Sequence, residues 1–192
     1  VSGPDRPQSL RERKKVRTRL AIRREAFRLF EKQGYATTTV EQIADAADVS
    51  PRTFYRYFGV KEALLLSDDK ISPIVQAFID APAELSVVAA YRHAVATVYS
   101  ALSQEERDDV VAGERMMYNI PEAQGLAYTE YVRLIDLIAA GLTKRPGAPT
   151  DELERRVIAG AIVGVLIAAS HNNPLPDQAL VKSLEILDRR LS

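Results

Sequence analysis

Two groups of side chains in this sequence could do chemistry. The first is cationic: Arg11, Arg13, Lys14, Lys15, Arg17, Arg19, Arg23, Arg24 and Arg28 crowd one segment, broken only by Glu12 and Glu25. A run of that density suits a polyanion, and equally a solvated helix face. Further on, Arg52, Thr53, Tyr55 and Arg56 lie close together. Arg can donate bidentately to guanine O6 and N7, Thr can offer a methyl to thymine or a hydroxyl to phosphate, and Tyr hydroxyls reach phosphate oxygens. The second group is acidic: Glu105-Glu106 with Asp108-Asp109, and Asp68-Asp69, are residue types found in metal and acid–base sites. A carboxylate-bridged di-iron bundle needs Glu-x-x-His pairs. Here Ala90 stands three before His93, and Ala168 three before His171. No Gly-rich phosphate loop, nucleophile elbow or His-Glu-x-x-His motif occurs. The acidic runs therefore read as solvated helix starts favoured by the macrodipole. A helical-bundle enzyme with a carboxylate-based site is the alternative reading, and no cofactor or metal is expected.

The formal net charge of zero over 192 residues hides a polarity. Residues 1–62 carry 14 Lys/Arg against 8 Asp/Glu, and residues 63–192 carry the remaining 12 against 18, so a basic part is joined to an acidic one. The absence of Cys excludes a disulfide framework, a thiolate zinc site and a cysteine nucleophile. The polar start, residues 1–8, lacks the apolar core of a signal peptide. The longest apolar stretch, Val157 to Ser170, is 14 residues long, whereas a bilayer span takes roughly 20. No membrane partner is expected, and the cytoplasm is the expected location.

The elements that must position these groups are helical. Apolar residues recur at helical spacing, and no segment shows the alternation of a strand. Ile22, Ala26, Leu29 and Phe30 make one stripe of a helix over about Arg17–Gln33, closed by Gly34. Thr37-Thr38-Thr39 offers caps for a second helix, Val40–Ala47. After the turn Asp48-Val49, Ser50 is a good N-cap and Pro51 suits the first helical position, so a third helix runs to Phe58 and stops at Gly59. Phe54 and Phe58, four apart, should pack inward and leave Arg52, Thr53, Tyr55 and Arg56 mostly outside. Two short helices joined by a tight turn are the helix-turn-helix pattern, whose second helix fits the major groove. Beyond it, Lys61 to Ile79 reads as one helix bent near Pro73, followed by helices over about 84–102, 105–117, 121–142, 152–172 and 177–191. The sequence thus predicts an all-α protein of about nine helices. It would consist of a disordered basic lead-in over 1–15, a helix-turn-helix domain over 16–62 and a helical domain over 63–192.

Residues Ile22 to Leu65 resemble the N-terminal DNA-binding domain of the TetR/AcrR family of bacterial transcriptional regulators. The likeness is carried by IRREAFRLFEKQGY, TTTVEQIADAADVS and PRTFYRYFGVKEALL, which include the Tyr-x-Tyr-Phe core and the Lys-Glu-Ala-Leu that follows it. The resemblance implies Thr39, Tyr57 and Lys61 on phosphates, and Arg52, Thr53, Tyr55 and Arg56 in the groove. It implies Arg17 and Arg19, as part of a flexible cationic arm, on the backbone or an adjacent minor groove. Two departures stand out: Asp48 where the family usually has Gly, and Val60 where it usually has a capping residue such as Ser.

For the acidic part the resemblance implies a ligand-binding and dimerisation domain. Gly160, Gly164 and Ala168 recur every fourth residue and permit close backbone approach, at a dimer interface or in internal packing, the interface being favoured. Candidate ligand-binding residues are Tyr91, His93, Tyr99, Arg115, Met117, Tyr118, Asn119, Tyr128 and Tyr131. Arg115 to Glu122 is also similar to a segment of a TetR subgroup associated with acyl-CoA-like ligands, which implies an elongated apolar tunnel with one cationic mouth. The function expected is that of a homodimeric repressor on a double-stranded DNA operator, released by a small, hydrophobic effector.

Overall fold

Ser9 sets the start of the first helix. In the computed structural model, which describes residues 9–66, 68–170 and 177–191, its hydroxyl accepts from the Glu12 backbone N–H (3.2 Å) while Glu12 accepts from the Ser9 N–H (2.8 Å). This reciprocal cap satisfies two donors that a helix end leaves open. Helix α1 accordingly spans Leu10–Gln33, seven residues longer at its start than the apolar stripe predicts. The expected disordered lead-in is therefore helical from Leu10 onward, and its first eight residues lie outside the described ones. The stripe missed this turn because a capping box acts through polar groups, and none of residues 10–19 is fully buried.

Among the described residues the chain has nine α-helices and no strand, and it divides into two compact units, residues 1–64 and 65–192. In the first unit α1 packs on α2 (Val40–Ala46), and α2 on α3 (Pro51–Phe58). Ile22, Ala26, Phe30, Ile43, Ala44, Phe54 and Phe58 are buried there. Thr39 caps α2 in a box with Gln42, and Ser50 caps α3, with Pro51 at its first position. Asp48 in the intervening turn has φ 51°, the only positive φ of a non-glycine residue among those described. A side chain is strained there and Gly is not. Asp48→Gly is expected to stabilise this unit by about 0.5–1 kcal/mol, read as a higher thermal midpoint; a lower one would refute the strain argument.

The second unit contains α4 (Asp68–Asp80), α5 (Val87–Ser100), α6 (Gln104–Asn119), α7 (Gln124–Leu142), α8 (Glu152–Ser170) and α9 (Asp177–Leu191). Helix α5 packs on α4 and α9, α7 on α4 and α8, and α8 on α9. Phe78, Tyr91, Val95, Ile138, Leu142, Ile162 and Leu184 form the buried centre. The single helix predicted over 61–79 is instead a 3-10 turn, Lys61–Leu65, followed by α4. Val60 provides no side-chain cap, and the Lys61 ammonium is drawn to the carbonyls of Tyr35 and Thr38. Pro73 lies within α4 and costs it one backbone bond.

Candidate functional site: a helix-turn-helix unit and an aromatic cavity

Helix α3 sorts its side chains by register. Phe54 and Phe58 are buried with rings 5.6 Å apart, while Arg52, Tyr55 and Arg56, at i, i+3 and i+4, are exposed together on the opposite face. Thr53 and Tyr57 are half-buried. The Thr53 hydroxyl sits 3.0 Å from that of Ser50, so it is partly engaged in the cap. Arg56 lies over the Tyr57 ring at 5.4 Å. At the start of α2, the Thr39 oxygen accepts from the Gln42 N–H (3.2 Å) and keeps its own proton for an outside acceptor.

The cationic segment is less uniform than its sequence. Arg11, Arg13, Lys14, Lys15 and Arg17 are exposed along α1, but Arg23 is fully buried, with its guanidinium 5.0 Å from the Phe27 ring. Arg24 and Arg28 flank Glu25, at 3.5 and 2.7 Å, and hold its carboxyl below the usual range. Arg17 and Arg19 were expected on a flexible arm, yet both are part of α1, and Arg19 is half-buried over the Phe58 ring at 5.3 Å. Lys61, expected on a phosphate, donates to Tyr35 O at 2.9 Å and Thr38 O at 3.0 Å and sits 4.2 Å from the Tyr35 ring centre. Two of its three N–H donors thus tie the α1–α2 connection to the end of this unit.

In the second unit a cavity of about 150 Å³ lies among α4, α5, α6, α7, α8 and α9. Of the nine candidate ligand residues, Tyr91, Tyr99, Met117, Tyr118 and Tyr131 line it; His93, Arg115, Asn119 and Tyr128 do not and are exposed. Arg115, the expected cationic mouth of a tunnel, does not line this cavity. Its lining cation is Lys70, 3.4 Å from Glu106. Burial opposes ionisation of Glu106, but the Ser103 N–H and hydroxyl, together with Lys70, still hold its carboxyl below the ordinary range. The Tyr118 and Tyr131 hydroxyls are hydrogen-bonded to each other. Burial, then that bond, raise the pKa of Tyr131, and nearby Glu114 adds to the rise. Burial does the same for Tyr91, so both phenols stay protonated at neutral pH.

Sequence reasoning missed Lys70, Glu114 and Glu130 in the lining. The signal available was Tyr91, Val95 and Tyr99, which at i, i+4 and i+8 mark the cavity face of α5. No comparable signal marks α4, whose register is obscured by Pro73. Among the acidic runs, Glu106 belongs to the α6 cap and Asp108 accepts from Gln104 at 2.8 Å. The side chains of Asp68 and Asp69, and the whole of His171, lie outside the described residues, among which no group of three or more His, Asp or Glu could hold a metal ion. No described helix is long and apolar enough to cross a membrane.

The profile of bacterial regulatory proteins of the tetR family matches residues 22–67, and the profile of the MftR C-terminal domain matches residues 85–192, more than half of the chain. The chain belongs to the TetR family. It is a DNA-binding regulator built on that family's two-part plan. It is 52% identical over 80 residues to the transcriptional regulator TcmR of Streptomyces glaucescens, a match covering 42% of this TetR-family chain and 34% of TcmR. With a regulator of Mycobacterium tuberculosis named MftR, for mycofactocin biosynthesis, it shares 24% identity over 146 residues, covering 75% of this chain and 73% of the other. The solved TetR-family regulator SCO0857 of Streptomyces coelicolor superposes with a TM-score of 0.54 over 98% of both chains at 18% identity, a likeness of fold.

Proposed function

We propose that this TetR-family protein is a homodimeric repressor, reading a pseudo-palindromic operator with two copies of α3 and releasing it when a small ligand enters the second unit's cavity. The observation that carries the reading is the exposed triad Arg52, Tyr55 and Arg56 on a capped helix whose other face is locked by Phe54 and Phe58. Arg52 and Arg56 are the groove readers, with Tyr55 beside them and Thr53 contributing its methyl. Thr39, Tyr57 and the third N–H of Lys61 serve phosphates, and Arg17 and Arg19 serve the flanking backbone. Two such units about 34–36 Å apart match one turn of DNA. Ligand and operator then weaken each other by the same factor, as linkage requires. DNA of this kind, and therefore the protein's work, is found in the bacterial cytoplasm.

Selection of the preferred sequence from random DNA tests the proposal. The selected site should be a two-fold repeat, and Arg52→Ala or Tyr55→Ala should weaken its binding about 5- to 100-fold. Arg17→Ala should weaken all sequences alike and reduce the slope of log K against log salt by about one. A failure to select any sequence at moderate salt, or unchanged affinity in both α3 variants, would refute it.

A further inference from the structure

We infer that the ligand of this cavity is a compact, uncharged aromatic molecule bearing a hydrogen-bonding oxygen, anchored by the Tyr91 hydroxyl. The inference rests on the ligand-responsive reading above and narrows the ligand's class. Its first support is Tyr91 itself. The residue is 2% exposed, its ring stands edge-on to Phe78 at 5.7 Å, and it lines the cavity. Among the described residues no hydrogen bond reaches its hydroxyl. Buried hydroxyls are almost always paired, and one left open toward a cavity is a place for a partner that arrives with the ligand.

The second support is size. A cavity of about 150 Å³ matches the engineered apolar cavities that accept one benzene ring. The walls supply aromatic faces from Tyr99 and Tyr131 and the adaptable thioether of Met117. In the Tyr118–Tyr131 pair one hydroxyl donates to the other, leaving one proton for a second oxygen on the ligand. The third support is charge. Lys70 is engaged with Glu106, and Glu130 with Arg133 at 3.0 Å, while Glu114 lies near Tyr131. A charged ligand would have to compete with an existing ion pair; a neutral one leaves them intact.

The isosteric pair p-cresol and p-xylene, which exchange a hydroxyl for a methyl on the same ring, isolates the claim. In calorimetric titrations of the full chain p-cresol should bind about five- to tenfold more tightly than p-xylene. Tyr91→Phe should bring the two within about twofold, by loss of p-cresol affinity alone. The substitution removes a hydroxyl that bonds to no described residue, so the thermal midpoint should hold or rise. 4-Methylbenzoate and 4-methylbenzylamine should bind more weakly than p-cresol. Equal affinity for the isosteres, a preference that survives Tyr91→Phe, or tighter binding of either charged probe overturns the inference. Failure of the wider reading looks different: p-cresol then binds through Tyr91 as described, and saturation leaves operator affinity unchanged.

Discussion

Arg145→Met is expected to lower the stability of the second unit by about 3–5 kcal/mol. Arg145 follows α7 and is 6% exposed. Its guanidinium donates to the carbonyls of Phe78 at 2.6 Å, Ala81 at 3.0 Å and Pro82 at 3.0 Å, and lies 5.3 Å from the Phe78 ring. These acceptors belong to the end of α4 and the chain just after it, where a helix leaves its last carbonyls unsatisfied and its dipole favours a cation. Methionine fills much of the volume but returns three carbonyls, two of them in buried bonds, to an unpaired state. The loss of charge-assisted bonds and the desolvation left behind act in the same direction. Arg145→Lys should fall between, because an ammonium keeps the charge without the planar fork that spans three acceptors. Urea unfolding measures this as a shift in midpoint at unchanged slope. A shift under about 1 kcal/mol in the methionine variant would mean that the carbonyls find water. The same corner supports the cavity, whose walls include Ile74 of α4 and Tyr91 of α5.

Arg145 also marks a boundary of what the sequence discloses. In sequence it opens a loop rich in Pro and Gly, where an arginine reads as solvated, and its acceptors are backbone atoms more than sixty residues away. Backbone carbonyls leave no trace in residue types. Arg23 is a second instance: it belongs to a cationic run whose other members are mostly exposed, yet it is completely buried. The parts that were legible depend on short-range rules. The turn at Asp48, the caps Thr39 and Ser50 and the inward Phe54–Phe58 pair all follow from residues within one or two turns of each other. The cavity was half legible. Tyrosines on α5, α6 and α7 were found because their types are unusual on apolar helices, whereas His93, Arg115, Asn119 and Tyr128, equally unusual, face outward. Type alone cannot fix the rotation of a helix that packs against several others.

Gly164→Arg is expected to convert the proposed dimer to a monomer and to weaken operator binding at least about a hundredfold, since two linked half-site contacts become one. Helix α8 buries Ala159, Ile162 and Val163 toward its own unit. Leu153, Val157, Gly160, Gly164 and Ile167 follow the alternating four- and three-residue spacing of a helix–helix seam on another face. Leu153, Val157 and Ile167 are 70%, 63% and 39% exposed, a continuous apolar stripe that a lone chain would present to water. A Cβ added at Gly160 or Gly164 would meet nothing within 4 Å. Internal packing, the other use weighed for these glycines and Ala168, therefore does not need them; a second helix laid along the stripe does. The same open space makes the test clean. Arginine at 164 has room in the monomer and replaces a poor helix former with a good one, a gain of about 0.5–1 kcal/mol in helix propensity. Unfolding cannot then be mistaken for dissociation. Light scattering should report a mass near 21.3 kDa for the variant and twice that for the parent, with the variant's thermal midpoint no lower at matched, low concentration. A variant that remains dimeric at micromolar concentration would place the two-fold contact on some other face and remove α8 from it.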